Sequence, residues 1–188
     1  MIEKIHGSSD PSEWIKEKLQ SIIYPVKSAI DIASGAGRHS LLLSERCSSV
    51  TAVDRNPDLS SFFENTSVEF LCLDLEQEDW PLVGHTFDLV LVSNYLYRPN
   101  LRKIFDLVGP DGFLIYETFG VGNELFGKPS NPNFLLRPSE LRDSVGDEFL
   151  IMDEFFGKIA EPQQSVNDVP RHKEKHVDGD DLHQANQR

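Results

Sequence analysis

The run Ala29-Ile30-Asp31-Ile32-Ala33-Ser34-Gly35-Ala36-Gly37-Arg38-His39-Ser40 decides the architecture of this chain. Its first part is apolar around an acid at 31. Its middle is a loop of small residues with glycine at 35 and 37. From Ser40 the pattern Ser40-Leu41-Leu42-Leu43-Ser44 turns helical. The order is therefore strand, tight turn, helix. Glycine lets such a turn take positive φ and lets backbone N–H groups come close to a ligand, because no Cβ stands in the way.

Outward from this run, short apolar segments alternate with helical ones. Strands are expected over Ser28–Ile32, over Val50–Val53 ending at Asp54, over Val68–Leu73 ending at Asp74, over Phe87–Val92, over Phe113–Tyr116 ending at Glu117, and over Phe149–Met152. The fourth is almost wholly apolar, as a strand covered on both faces should be. Helical patterns fall at Ser40–Cys47, after Asn56-Pro57-Asp58, and at Leu101–Val108, the last closed by the turn Gly109-Pro110-Asp111-Gly112. Upstream, Asp10 is read as an N-cap, with Pro11 first in the helix and Glu13 completing a capping box. Trp14, Ile15, Leu19, Ile22 and Ile23 then recur at helical spacing up to Pro25. Trp14 reads as a core anchor, with a place over a cofactor beside the glycine loop as the alternative. The alternation predicts a Rossmann-like α/β fold: a doubly wound, mostly parallel sheet with helices on both faces. Ligands of such sheets bind at the carboxyl ends of the strands, where four of the first five strands carry an acid: Asp31, Asp54, Asp74 and Glu117.

The chain's 188 residues suit one domain, and its 39% of hydrophobic residues are unevenly spread. Beyond Glu161 the only large apolar residues are Val166, Val169, Val177 and Leu182. Residues 1–160 are therefore expected to form the domain and 161–188 a polar, disordered tail. Of the formal charge of −13, the tail carries −2 and residues 1–160 carry −11. That balance argues against nucleic acid, whose binding relies on Lys and Arg at phosphates. Two cysteines, Cys47 and Cys72, are too few for a disulfide framework or a cysteine zinc site. The start Met1-Ile2-Glu3-Lys4-Ile5-His6 lacks a signal-peptide core, and no apolar run reaches membrane-spanning length. A soluble cytoplasmic protein is the expectation.

Asp54 stands 17 residues after Gly37 at the next strand tip, where a carboxylate can accept from both hydroxyls of a ribose. NAD and S-adenosylmethionine both remain open on that evidence. A dinucleotide loop wants glycine at its sixth position, and Ser40 is there instead. Asp31 beside the loop would oppose a pyrophosphate and suits a ligand carrying an ammonium and a sulfonium. Asp74 can accept from an adenine amino group.

With Asp31…Gly35-Ala36-Gly37, Asp54 after Val53, Leu73-Asp74-Leu75, Phe87-Asp88-Leu89-Val90 and Gly109-Pro110-Asp111-Gly112-Phe113, the chain resembles the class I S-adenosylmethionine-dependent methyltransferases over residues 12–155. Gly35-Ala36-Gly37-Arg38-His39-Ser40 followed by Val50-Thr51-Ala52-Val53-Asp54 is most similar to their small bacterial branch, which includes tellurite-resistance-type enzymes. The resemblance implies S-adenosylmethionine as cofactor, held by Asp31, Ala33, Ser34, Gly35, Gly37, Arg38, Asp54, Arg55, Asp74, Leu75 and Asn94. It also implies a seventh, antiparallel strand inserted in the sheet. Pro162–Arg188 lacks the apolar alternation of such a strand, so either it is lost or the tail replaces it in another form. Ala33 stands where the family's first glycine is common, and it needs no positive φ if extended.

Methyl transfer from a sulfonium asks the protein mainly to align the acceptor and exclude water. Asn94 and Tyr95, at the tip of the fourth strand, are the candidates for positioning the acceptor; Arg98 for holding an anionic one; Glu117 for base or orienting group. Against these stand aromatic packing under a lid for Tyr95 and Tyr97, a helix-start or tail contact for Arg98 and a solvated strand end for Glu117. Gly120–Pro138 is long for a connection and reads as a lid carrying Phe126, Phe134 and Arg137, or as a plain insertion. His39 reads as packing or capping. No acidic metal cluster is evident, and His172 with His176 in so polar a stretch reads as solvated rather than metal-binding. The expected function is methyl transfer to a small molecule, with oligomeric state open. The alternatives are a protein or RNA methyltransferase, a cofactor-binding protein without catalysis, and an NAD oxidoreductase.

Overall fold

The computed structural model describes residues 10–159 and 167–172. Its elements run α1 (Glu13–Ser21), β1 (Ser28–Ile32), α2 (Arg38–Ser44), β2 (Ser49–Asp54), β3 (Val68–Cys72), β4 (Phe87–Ser93), α3 (Leu101–Phe105), β5 (Val108–Glu117), α4 (Glu140–Val145), β6 (Glu154–Ile159) and β7 (Asn167–His172). One seven-stranded sheet has the order β3-β2-β1-β4-β5-β7-β6. Strands β1 to β5 are parallel, and β7 runs antiparallel to both β5 and β6. The order reverses between β1 and β4, which places the switch point where the glycine loop leaves β1.

Alternation along the central strands feeds two cores. Ala29, Leu89, Leu91, Phe113 and Ile115 pack on Trp14, Ile15 and Leu19 of α1 and Leu43 of α2. Ile30, Ile32, Val90, Val92, Leu114 and Tyr116 pack on Ile104 and Phe105 of α3 and Leu141 and Val145 of α4. Leu89, Val90, Leu91 and Val92 are fully buried, which is why β4 carries no polar residue in that run. Trp14 is 4% exposed and belongs to the first core, not to the rim of the sheet.

Several boundaries differ from the sequence expectation. The N-cap of α1 is Ser12, not Asp10, and its hydroxyl accepts from the Ile15 N–H at 3.5 Å. Serine and aspartate are comparable caps, so the choice falls to tertiary contacts of the entering chain. The segment after Asn56 is a 3-10 helix, Pro57–Phe62. Gly109-Pro110-Asp111-Gly112 lies inside β5 as an irregularity, with Asp111 at φ 57 and a register shift against Phe87–Leu89. The sixth strand starts at Glu154, beyond the expected Phe149–Met152.

Strand seven is present within the stretch expected to be a polar tail. β7 pairs with β5 through Tyr116↔His172 and Glu117↔Arg171, and with β6 along six residue pairs. Partner strands on both sides, rather than apolar alternation, define it, and the pattern of a single sequence does not record that. His176 lies outside the described residues. Among the described residues, no helix is long and apolar enough to cross a membrane.

Candidate cofactor and active site

β1 ends at Ile32, and the chain turns through Ala33 at φ 54, Gly35 at φ 56 and Gly37 at φ 81 before α2 begins. Ala33 is thus left-handed rather than extended, a conformation that its methyl group opposes. The two glycines serve different needs. A Cβ on Gly37 would lie 2.4 Å from the Phe63 ring, so the loop rests directly on that side chain. A Cβ on Gly35 would meet nothing within 4 Å, so that glycine leaves open space in front of the loop.

The loop is tied to the next strand. The Ser34 N–H donates to the Val53 carbonyl at 2.9 Å, and the Gly35 N–H donates to Asp54 Oδ2 at 2.9 Å. Asp54 Oδ1 accepts from the Asn56 N–H at 3.0 Å. A carboxylate has about four acceptor sites, so Asp54 keeps capacity for two hydroxyl donors. Asp54, Arg55, Asp74, Leu75, Ala33 and Tyr95 line one cleft at the rim. Leu73 and Glu76 line it too. Sequence reasoning misses both, though the acid two places beyond Asp74 is a usable signal, because Asp74 Oδ1 accepts the Glu76 N–H at 2.9 Å. Arg55 and Glu76 approach to 3.8 Å.

Asp31 lies behind the loop rather than in the cleft. It is 1% exposed, and Ser40 Oγ donates to its Oδ2 at 2.6 Å. Burial pushes its carboxyl up to about 7, against the lowering effect of the Ser40 hydrogen bonds and the Arg38 charge. Arg38 reaches from the first turn of α2 to the Asp10 carbonyl at 3.2 Å and to Ser93 Oγ at 3.4 Å. His39 is buried, and its Nε2 accepts the Ser12 N–H at 3.0 Å. Burial, then the neighbouring Arg38 and Lys16 charges, pushes its imidazole down to about 3, so it is a neutral acceptor.

At the tip of β4, Asn94 takes φ 55 and its N–H donates to the Glu117 carbonyl at 2.8 Å. That turn sends Tyr95 into the cleft, where the Tyr116 hydroxyl holds its backbone carbonyl at 2.7 Å. Burial, then Glu76 and Asp74, raises the Tyr95 phenol. Glu117 is buried at the end of β5, beside Ser93 in register, rather than solvated.

Arg98 is placed differently from its expected role in holding an anionic acceptor. Its Nε and Nη2 donate to Glu140 at 2.5 and 2.9 Å, and Nη1 and Nη2 donate to the carbonyls of Asn133 and Leu135 at 2.8 Å. The guanidinium is spent on fastening the long 120–138 connection to α4. Burial raises Glu140, but the Arg98 hydrogen bond and charge outweigh it and hold the carboxyl below its ordinary value.

Two buried hydroxyls, Ser34 Oγ and Tyr95 Oη, are without a hydrogen-bond partner among the described residues. With the open space before Gly35 and the acids at the tips of β2 and β3, they make a bed with polar demands still to be met. This fits an adenosine-bearing cation and suits a pyrophosphate poorly. Among the described residues no group of His, Cys, Asp and Glu gathers in metal-binding geometry.

Residues 29–112 match a family profile described as a methyltransferase domain. A malonyl-(acyl-carrier protein) O-methyltransferase of Acetivibrio thermocellus is 29% identical over 103 residues, covering 48% of this chain and 35% of that protein. The chain thus spans about a third of the length of this curated relative. TehB from Haemophilus influenzae superposes with a TM-score of 0.66 at 16% identity, over 86% of this chain and 63% of that one. The N-methyltransferase NodS from Bradyrhizobium japonicum WM9, solved with S-adenosyl-L-homocysteine, superposes with a TM-score of 0.62 at 12% identity, over 94% of each chain.

Proposed function

We propose that this chain, whose residues 29–112 match a methyltransferase domain and whose fold is shared by TehB and NodS, is a class I S-adenosylmethionine-dependent methyltransferase that moves the methyl group of S-adenosylmethionine onto a small molecule. The observation that carries this reading is the tie between the glycine loop and Asp54. It aims a carboxylate with spare acceptor sites into a cleft also lined by Asp74, Ala33, Leu75 and Tyr95. Asp54 would take the ribose hydroxyls, and Asp74 the adenine amino group. Ser34, Gly35 and Gly37 would form the loop under the amino-acid portion. Asp31 would brace that loop from behind through its bond to Ser40, and Arg38 would supply a cation at its edge. Leu75, Ala33 and Arg55 would bound the adenine, and Asn94 the methyl-bearing end.

When bound, the cofactor supplies an electrophilic methyl group for in-line displacement. The chain's residues have to hold the acceptor in line and keep water out. Asn94 and Tyr95 are proposed for that positioning, since the left-handed turn at Asn94 and the Tyr116 bond fix where both stand. Glu117 is proposed to orient the acceptor from the adjacent strand end. Small acceptors are favoured over nucleic acid by the charge of −13.

The test is calorimetric titration of the full chain with S-adenosylmethionine and S-adenosylhomocysteine, followed by transfer of labelled methyl into fractionated small metabolites, protein and RNA. Binding with label in the small-metabolite fraction supports the proposal. Label in protein or RNA overturns its acceptor class, and binding without transfer into any fraction overturns catalysis.

A further inference from the structure

β6 is the last strand of the sheet, and among the described residues no strand lies on its outer side. Its residues Glu154 to Ile159 all pair with β7, so it is regular along its whole length, and it contains no proline. The outward N–H and C=O groups of such a strand are a template for a further strand. Phe155 and Phe156 are 40% and 37% exposed on it, and Met152 just before it is exposed as well. Lysine is a common guard on an edge strand, and Lys158, whose ammonium sits 3.9 Å from the centroid of the Phe126 ring, is placed to act as one. Its counter-charge, however, stands on the same strand: Glu154 precedes it by four residues, and Arg142 of α4 holds that carboxylate at the edge.

This spacing makes the strand complementary to itself. Let a second copy lie antiparallel to it about a twofold axis at Phe156. Glu154 of each copy then stands opposite Lys158 of the other, Phe156 opposite Phe156, and Phe155 opposite Gly157. Opposite charges and facing aromatics are pairs that stabilise neighbouring strands. A shift of one residue in register sets Glu154 opposite Gly157 or Ile159 and loses both charge pairs, so the match selects one alignment. Gly157 also suits its place, because a Cβ there would lie 2.9 Å from the Phe155 ring of its own strand.

We propose that β6 is a homodimer interface, at which two copies of this chain join edge to edge in that register as one continuous sheet. Such an isologous pairing closes on itself and removes the exposed edge from both copies. It leaves the cleft at the tips of β2 and β3 open, since none of the cleft's lining residues lies on β6.

Sedimentation velocity of the full chain over a concentration series tests this. The expected result is a monomer–dimer equilibrium in the parent. Lys158→Glu and Glu154→Lys, each alone, set like charges opposite each other twice per dimer and should weaken it by about tenfold. An equimolar mixture of the two variants should dimerise again as mixed pairs, because each then supplies the charge the other lacks. Glu154→Lys also loses its bond to Arg142. Should it fail to fold, oxidation of Phe156→Cys in a Cys72→Ser background decides in its place, since the axis puts the two copies of residue 156 face to face. A disulfide-linked dimer is expected there and not with Ile23→Cys, which is exposed elsewhere on the chain. A parent that stays monomeric, a dimer indifferent to Lys158→Glu, variants that do not recover on mixing, or linkage as ready at position 23 as at 156 would overturn the interface.

Discussion

Ala33 holds a backbone angle that glycine would hold at lower cost, and it does so at the turn the site depends on. A non-glycine residue there costs about 1–2 kcal/mol, partly offset by the extra unfolded-state freedom of glycine. Ala33→Gly is therefore expected to stabilise the chain by about 0.5–1 kcal/mol, read from urea unfolding. Gly37→Ala should do the reverse. Its methyl would add overpacking against Phe63 to a left-handed φ, for a loss of about 2–4 kcal/mol. Gly35→Ala meets no protein atom and should cost only about 1 kcal/mol, while its Cβ occupies the space assigned to the cofactor. Asp31 supplies a pH test. Its carboxyl is raised from 3.8 to about 7, so between those values the folded chain holds a proton that the unfolded chain has released. Stability should fall as pH rises through that window, by on the order of 4 kcal/mol from this group. Asp31→Asn should remove that slope, which unfolding curves at pH 4.5, 6 and 8 would show.

Among the elements, the connection after β5 shows how a site residue can be misassigned from sequence. Arg98 close to Asn94 and Tyr95 suggests an acceptor contact, because nothing in the local pattern reveals that Glu140, 42 residues on, will take the guanidinium. The pair is partly buried, so Arg98→Ala is expected to cost about 2 kcal/mol and to free the 120–138 segment. Proteolysis within Asn131–Phe134, whose carbonyl at Asn133 the arginine holds, would report that release. The Glu140 carboxyl is held below its ordinary value, so this stabilisation is present above pH 4.5 and is lost as pH falls through the lowered value. The glycine loop is legible for the opposite reason: its chemistry is local, written in twelve consecutive residues. Asp54 is legible because strand tips recur at a readable spacing. Ala33's angle is not, since no glycine marks the left-handed turn at that position.

For the molecule as a whole, the parallel half of the sheet can be read from buried runs such as Leu89-Val90-Leu91-Val92, whose unbroken branched apolar composition suits a short strand covered on both faces. The antiparallel end cannot. β7 joins strands on both sides and shows no apolar alternation of its own, so it follows from the completed sheet rather than from its own residues. What the sheet presents at its carboxyl edge is a set of acids around a glycine loop, and the functional reading stands on what that edge holds. The most direct measurement is calorimetric titration of the full chain with S-adenosylhomocysteine, with Asp54→Ala and NAD as comparisons. Saturable binding of one molecule per chain, lost in Asp54→Ala, with no heat from NAD, is the predicted result; binding of NAD in preference, or equal binding by the variant, would contradict it.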